Sequence, residues 1–317
     1  MIKSFLTIIF SVIFLFSFEQ GNKKSDSFHA DEAVIKVTLL GTGTPQPIMD
    51  RFGPSTLVQA GNVNLVFDAG RGCLQRLRQL KLDYDKLDAL FFTHLHSDHI
   101  VGLPDLWLTG WLITLRNVPL KVFGPAGCKQ MTDYLSKAYA YDIKIRIEDN
   151  YAPMHGSELL TTEIKQGVVY EKDGVKVIAF LVDHFPVVPA FGYRIEYKGR
   201  SVVLSGDTKY SENLIRYAKG TDLLVHEVAI SPGTLDKTDP KYHIMALHTN
   251  PEQAAKIFNL VKPKLAVFYH LVRLYGSTTE EIMKRAKAGY QGPLVLGEDL
   301  MSFSVGDSIT VRKWQGN

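Results

Sequence analysis

The sequence predicts a single α/β domain that begins near residue 33 and runs to residue 317. Apolar runs of strand length alternate with longer amphipathic segments, no linker or internal repeat interrupts them, and several strands end at a histidine or aspartate. With 317 residues, 45% of them apolar and 22% charged, the chain can bury a sizeable core, which excludes disordered, collagen-like and coiled-coil proteins. The net charge of +3 gives no support for a polyanion-binding groove, and two cysteines cannot form a disulfide framework.

Residues 1–24 predict a secretory signal peptide. A basic start at Lys3 precedes an apolar run over residues 5–18 and a polar stretch over residues 19–27. The apolar run is shorter than the roughly 20 residues needed to span a bilayer. One alternative is a buried core helix. Because no small-residue cleavage triplet precedes Asn22, an uncleaved anchor is another. We expect export to the periplasm or secretion, an uncertain cleavage site, and no stable membrane span after cleavage.

The first half of the domain reads as strands that alternate with helices. Gly61-Asn62 lies between two strand-like runs and predicts a hairpin turn. Apolar periodicity predicts strands at residues 34–40, 55–60, 63–68, 87–93 and 120–123, and helices at residues 70–80, 99–115 and 127–138. Trp107 and Trp111 are spaced i,i+4 on one of these helices, which favours packing in the core. A pocket wall or a contact in a homodimer is the alternative.

The second half repeats the alternation after a polar middle segment. Asn250-Pro251 marks a helix start, because an N-cap residue is followed by a proline in the first helical position. The pattern predicts strands at residues 175–182, 191–197, 201–205, 222–225 and 265–269, and helices at residues 211–218 and 251–261. Both halves therefore supply strands for sheets and helices to cover them.

Four metal-ligand side chains follow the apolar strand at residues 87–93. In an extended backbone His94, His96 and Asp98 project to one side, and His99 follows as the chain turns into a helix. Zinc binds imidazole and carboxylate groups, and a catalytic tetrahedral site leaves one position open. Four such ligands in six residues exceed what one such ion can use. The cluster therefore predicts two ions that share a bridging group.

Other candidate ligands stand where later apolar runs end. They are His184, Asp207, His226 and His270. An α/β sheet builds its site from residues at the carboxyl ends of its strands, so we expect these side chains to meet the His94–His99 cluster. Any one of these histidines alone would more often be a hydrogen-bonded core residue.

The segment Thr93–His99 resembles the HxHxDH signature of the metallo-β-lactamase superfamily. Further segments resemble its RNase Z and arylsulfatase-like branch, in the family's order from residue 34 to about residue 303. They are Gly41-Thr-Gly-Thr-Pro45, Phe67-Asp-Ala-Gly-Arg-Gly72, His184 with Gly192-Tyr-Arg194, Gly206-Asp-Thr208, His226-Glu227, His248-Thr249 and Tyr269-His270. The resemblance implies an αββα four-layer sandwich with a dinuclear site along one edge.

The resemblance also implies a role for each site residue. His94, His96 and His184 would bind a first zinc ion, Asp98, His99 and His270 a second, and Asp207 would bridge them, with Mn²⁺ or iron as alternative metals. Asp68 resembles the family's supporting carboxylate beneath the histidines; otherwise it is a turn residue.

The implied chemistry is hydrolysis by a hydroxide that bridges the two ions. Asp98 would hold or deprotonate the nucleophile. His248 would give the leaving group its proton, Glu227 would orient His248, and His226 lies beside this pair. The alternative for His248 and His226 is a structural role, in which each forms a hydrogen bond to a metal ligand.

The absence of a long Gly-rich arm shapes the predicted substrate. Only residues 196–205 separate Ile195 from Gly206, where the RNase Z enzymes that process tRNA carry that arm. The export signal and the lack of a basic patch also disfavour tRNA as a partner. We therefore expect a hydrolase of small esters, either sulfate esters or phosphodiesters, similar to the exported arylsulfatase-like subgroup. An RNase Z-like endoribonuclease or a β-lactamase is the alternative, and a non-catalytic binding module is least favoured.

Overall fold

The computed structural model describes residues 34–316, and its helices and strands follow the predicted alternation. The strands are β1 (Ile35–Gly41), β2 (Ser55–Ala60), β3 (Val63–Phe67), β4 (Ala89–Phe91), β5 (Leu120–Gly124), β6 (Leu159–Glu163), β7 (Gly167–Lys172), β8 (Val175–Leu181), β9 (Phe191–Tyr197), β10 (Arg200–Leu204), β11 (Leu223–Ile230), β12 (Leu265–Arg273), β13 (Leu294–Leu296), β14 (Ser302–Val305) and β15 (Ile309–Arg312). The helices are α1 (Cys73–Gln79), α2 (Ser97–Ile100), α3 (Leu103–Thr114), α4 (Cys128–Ala138), α5 (Ala140–Glu148), α6 (Glu212–Ala218), α7 (Tyr242–Leu247), α8 (Pro251–Val261) and α9 (Thr279–Gly289).

The strands form two sheets. One has eight strands in the order β15-β14-β1-β2-β3-β4-β5-β6, and the other has seven in the order β13-β12-β11-β10-β9-β8-β7. Strands β3 to β6 are parallel to one another, as are β10 to β13. The carboxyl ends of parallel strands meet at the same edge of a sheet, so each sheet gathers the residues that follow its parallel strands at one edge.

Alternating side chains bury both faces of each sheet. The inner faces share one apolar core, in which the Phe67 and Phe91 rings stack at 4.9 Å and Tyr193 of the other sheet lies 5.1 Å from Phe67. Separate apolar clusters join the first sheet to α1, α3 and α4 and the second sheet to α6, α8 and α9. Helices therefore cover both outer faces, which confirms the predicted fold class.

The two tryptophans of α3 are core residues. Trp107 and Trp111 are fully buried, and their indole N–H groups donate to the carbonyl oxygens of Ser157 (3.1 Å) and Pro153 (2.8 Å). Both tryptophans therefore pack in the core, as the sequence favours. Because they are buried within the chain, they give no support to the alternative of a dimer contact. A homodimer remains a prediction without an assigned surface.

Other differences from the sequence prediction are local. The helix predicted over residues 99–115 is interrupted at Gly102, which separates α2 from α3. The signal-peptide prediction lies outside the described residues. Within the described range, no helix combines the length and apolar character that a membrane crossing requires.

Candidate metal centre

All seven side chains predicted as metal ligands converge at one edge of the sandwich. They form two groups, one of His94, His96, His184 and Asp207, and one of Asp98, His99 and His270, and the ligand atoms in each group lie within 4.8 Å of one another. Asp207 also lies near the second group, with an Oδ2 to Nε2 distance of 3.3 Å to His99 and 3.4 Å to His270. Asp207 thus stands between the two groups.

Local backbone geometry delivers the first ligands from β4. The chain leaves β4 after Phe91, bends at Thr93 and is extended at His96 (φ −63°, ψ 145°). Because α2 begins at Ser97, Asp98 and His99 lie in the first helical turn. On the other sheet, Gly206 adopts a positive φ of 62° just before Asp207. A Cβ at Gly206 would come within 2.5 Å of the Phe191 carbonyl oxygen, so the turn that aims Asp207 requires glycine.

His270 reaches the site because β12 contains a β-bulge. Glu227 pairs with Tyr269 and Val228 pairs with Leu271, which leaves His270 unopposed, in a left-handed conformation with φ 45°. Regular alternation would put His270 on the side of Phe268, which packs toward the helices. Because of the bulge, Leu271 rather than His270 faces the helices, and His270 points toward the ligand groups.

Second partners fix the orientation of two histidines. Nδ1 of His99 lies 2.8 Å from Oδ2 of Asp68. The Asp68 carboxylate also accepts two hydrogen bonds from Thr93, with the backbone N–H donating to Oδ1 and the hydroxyl to Oδ2. Nδ1 of His184 donates to the carbonyl oxygen of Leu247 at 3.0 Å. Because each Nδ1 is occupied, Nε2 of each ring is left to face the site. Asp68 lies beneath the histidines, where the sequence predicts it.

Unpartnered buried atoms indicate that the cluster fits a cation. Nε2 of His99 and Oδ1 of Asp207 are buried and have no hydrogen-bond partner among the described residues. Nitrogens of His94 and His96 face each other at 2.9 Å, and those of His184 and His96 at 3.3 Å. Nitrogens that bind one tetrahedral zinc at about 2.0–2.1 Å lie roughly 3.3 Å apart. The cluster is therefore able to bind metal ions.

The electrostatics of the cluster favour a cation as well. Burial acts to raise the pKa of the Asp207 carboxyl, but His270 and His99 hold it well below its usual value. Burial keeps the pKa of His94 well below its usual value, so its imidazole is neutral, as a ligand must be. The site thus presents negatively charged carboxylates together with the neutral imidazole nitrogen of His94.

His248 and Glu227 form a pair beside the metal ligands. Nδ1 of His248 lies 3.1 Å from Oε2 of Glu227, and the fully buried Glu227 also accepts a hydrogen bond from the Thr249 backbone N–H at 2.7 Å. Burial acts to lower the pKa of His248, but Glu227 raises it to about 9. His248 lines both the cavity over the ligands, about 360 Å³, and a neighbouring cavity of about 600 Å³. A protonated imidazole at this position can serve as a proton donor.

His226 is the one predicted site residue that the structure does not bring to the cluster. Its ring faces Phe258 of α8 at 5.8 Å, on the side of β11 that packs against the helices, and it is fully buried. Glu227 is the next residue and therefore faces the opposite side, toward His248. The position of His226 gives no support to its predicted part in proton transfer.

Comparisons with known proteins agree with this geometry. Residues 63–271 match the family described as the beta-lactamase superfamily domain. The chain belongs to this superfamily. Its relatives include the ribonuclease Z of Mycobacterium bovis (strain BCG / Pasteur 1173P2), 35% identical over 271 residues that cover 84% of this chain and 97% of the relative. The ribonuclease Z of Mycobacterium marinum is 41% identical over 197 residues, 62% of this chain and 71% of the relative.

Solved structures of β-lactamase superfamily proteins share the fold. The metallo-β-lactamase fold protein YhfI of Bacillus subtilis has a TM-score of 0.68 at 19% identity, with 84% of this chain and 98% of that one covered. The short form of human tRNase Z has a TM-score of 0.64 at 24% identity, with 85% and 99% covered.

The prediction that tRNA is disfavoured as a partner is wrong. It rested on the missing arm, the export signal and the lack of a basic patch. The structure does have a tight turn in place of the arm, at Lys198-Gly199, where Tyr197 pairs with Arg200. The relatives, however, are named ribonuclease Z. An alignment of 271 residues that covers 84% of this chain leaves room for only a handful of inserted residues in the M. bovis enzyme. That enzyme therefore has no long arm within the aligned region either, and a short hairpin does not argue against RNA.

We expect Asp68→Asn to weaken metal binding without disrupting the fold. The amide keeps the size of the side chain but cannot hold His99 as a carboxylate does, so metal affinity should fall about 10–100-fold. Competition with a zinc-sensitive dye measures this affinity. Asp85→Asn, at an exposed carboxylate paired with Lys86, is the control. Unchanged zinc affinity in Asp68→Asn would show that Asp68 is only a turn residue.

Proposed function

We propose that this protein is a metal-dependent phosphodiesterase of the ribonuclease Z type, which cleaves RNA. The observation that carries the proposal is 35% identity with a ribonuclease Z across 97% of that enzyme. A site of histidines and aspartates that is able to bind metal ions supports it. The sequence predicts a hydrolase of small esters, either sulfate esters or phosphodiesters, with an RNase Z-like endoribonuclease as the alternative. The relatives support that alternative and give no support to sulfate esters, so the phosphodiester of RNA is the bond that we propose.

Two zinc ions are the proposed cofactor. His94, His96 and His184 would hold one ion, Asp98, His99 and His270 the other, with Asp207 between them. Imidazole and carboxylate groups suit zinc, which makes it our first choice of metal. When bound, the ions supply an activated water at neutral pH and neutralise charge on the phosphate.

The side chains around the ligands supply the proton transfers. Asp98 is 8% exposed and lines the cavity over the ligands, so it can orient the attacking water and accept its proton. His248 faces the same cavity and would protonate the ribose oxygen that leaves. Glu227 holds Nδ1 of His248, which leaves Nε2 to donate that proton. The second cavity beside His248 has room for the nucleoside that bears the leaving oxygen.

A parallel assay on the zinc-loaded full chain tests this proposal. The substrates are a tRNA precursor with a 3′ trailer, bis(p-nitrophenyl) phosphate, p-nitrophenyl sulfate and nitrocefin. We expect the highest kcat/KM on the RNA, clear hydrolysis of the phosphodiester, and loss of both activities with a chelator. An intact RNA beside rapid sulfate-ester hydrolysis would refute the proposal. Export directed by residues 1–24 remains a prediction, and cell fractionation addresses it separately.

A further inference from the structure

A third cavity, distinct from the two that His248 lines, adjoins the one over the metal ligands. Its volume is about 410 Å³, and it shares Thr44, Gln46 and Arg273 with the metal cavity. Lys241, from the loop before α7, lines its other side. The fold thus places two positively charged side chains, Arg273 and Lys241, at a cavity next to the one over the metal ligands.

The guanidinium of Arg273 is available for a ligand. Arg273 is the last residue of β12, three positions after His270, and its side chain is exposed. Within residues 34–316 no hydrogen bond or ion pair engages the guanidinium. Glu280 and Arg51 are close enough to interact with it electrostatically, but neither contacts it. A strand end holds its backbone in place, while its five N–H donors remain free.

Lys241 is positioned by the Tyr275 ring, and its ammonium forms no ion pair with any residue of the described range. Its ammonium lies 4.4 Å from the centre of the Tyr275 ring. The Tyr275 hydroxyl donates to Oδ1 of Asp239 at 2.6 Å, and the Lys241 backbone N–H donates to the same oxygen at 2.7 Å. Asp239, the neighbouring acid, thus contacts the Tyr275 hydroxyl and the Lys241 backbone N–H and forms no ion pair with the Lys241 ammonium.

An unpartnered hydroxyl lies at the same cavity. Ser277 is 5% exposed, and its Oγ is buried and has no hydrogen-bond partner among the described residues. A buried polar group without a partner is costly, so such groups in folded proteins usually meet a ligand or water. This observation is independent of the charges of Arg273 and Lys241, and it also favours an oxygen-rich ligand.

We propose that Arg273 and Lys241 bind an RNA phosphate adjacent to the scissile one. The inference rests on the proposed function, since it assumes that the strand lies across the metal cavity. Guanidinium groups suit bidentate contact with phosphate oxygens, and a lysine adds a point charge. This pair supplies the basic contact that the short β9–β10 hairpin cannot supply. The net charge of +3 does not reveal this basic pair, because a net charge is summed over the whole chain and the pair is one local feature.

The salt dependence of RNA binding tests the proposal. Arg273→Ala and Lys241→Ala are titrated with a labelled single-stranded RNA by fluorescence anisotropy at several salt concentrations. Each variant should bind severalfold more weakly, and the slope of log K against log salt should fall by about 0.7 for each lost contact. Arg273→Lys should keep the wild-type slope, because it keeps the charge. Arg78→Ala, an exposed arginine of α1, is the control.

Cleavage assays on the same variants separate this inference from the proposed function. The loss of kcat/KM should be larger for the tRNA precursor than for bis(p-nitrophenyl) phosphate, which has no second phosphate. Equal losses on both substrates, or salt slopes equal to that of the wild type, would overturn the inference. A wild type that binds RNA with the expected slope and does not cleave it would refute the proposed function while the phosphate subsite stands.

Discussion

Asp207→Asn is expected to lower phosphodiester hydrolysis by about 10³-fold or more, equivalent to about 4 kcal/mol of transition-state stabilisation. Asp207 is the carboxylate between the two ligand groups, its Oδ1 is buried without a partner, and both His99 and His270 face it. An amide of the same size keeps the packing but removes the negative charge that a pair of cations needs. Zinc content should fall from about two ions per chain to one or fewer, since a dinuclear site requires the bridge.

Metal analysis, kinetics and thermal unfolding measure the Asp207→Asn effect together. Because ions bind only the folded chain, a chelator should lower the unfolding midpoint of the wild type more than that of the variant. Asp133→Asn, at an exposed carboxylate paired with Lys129 on α4, is a control that should match the wild type throughout. Full zinc content together with wild-type turnover in Asp207→Asn would remove Asp207 from the metal site.

His248→Ala should lower turnover on RNA by about 10²–10⁴-fold, which is the usual contribution of a positioned acid. Zinc content should change little, because His248 is expected to act on the leaving oxygen. The size of the loss should depend on the substrate. A ribose oxygen needs a proton in order to leave, whereas nitrophenolate leaves without one, so bis(p-nitrophenyl) phosphate should lose much less activity.

The structure supplies a matched control for the His248 prediction. His155 and Glu158 form a similar histidine–carboxylate pair, with 2.9 Å between Nδ1 and Oε1, but that pair is exposed and lies in a short 3₁₀ turn and the residue after it. His155→Ala should leave both activities intact. Glu227→Gln should show the same leaving-group dependence as His248→Ala, at smaller magnitude. A parallel loss of zinc and turnover in His248→Ala would make His248 a metal-holding residue.

The sequence could predict the fold class and the convergence of the ligands for clear physical reasons. Strand-length apolar runs fix the alternation of elements, and parallel strands deliver the residues that follow them to one edge. The four ligands from His94 to His99 are local, so their spacing alone identifies them. Resemblance to a known superfamily then links His184, Asp207 and His270 to them across long stretches of chain.

Strand geometry explains what the sequence could not predict. Alternation along β11 separates His226 from Glu227, and the signal was present in the apolar residues Leu223 and Val225, which share the inward face with Glu227. The β-bulge at His270 has no such signal. The hydrogen bond from His184 to the carbonyl oxygen of Leu247 depends on tertiary structure, as does the placement of Arg273 and Lys241 at one cavity. The low net charge was misleading because it averages over the whole surface.

The bulge at His270 has an evolutionary consequence. A deletion of the residue after His270 would restore an ordinary ladder between β11 and β12 and turn the imidazole away from Asp98 and His99, while the six other predicted ligands stayed where they are. In evolution, a single insertion or deletion there would therefore be enough to add or remove one predicted metal ligand without rebuilding the sandwich that carries it.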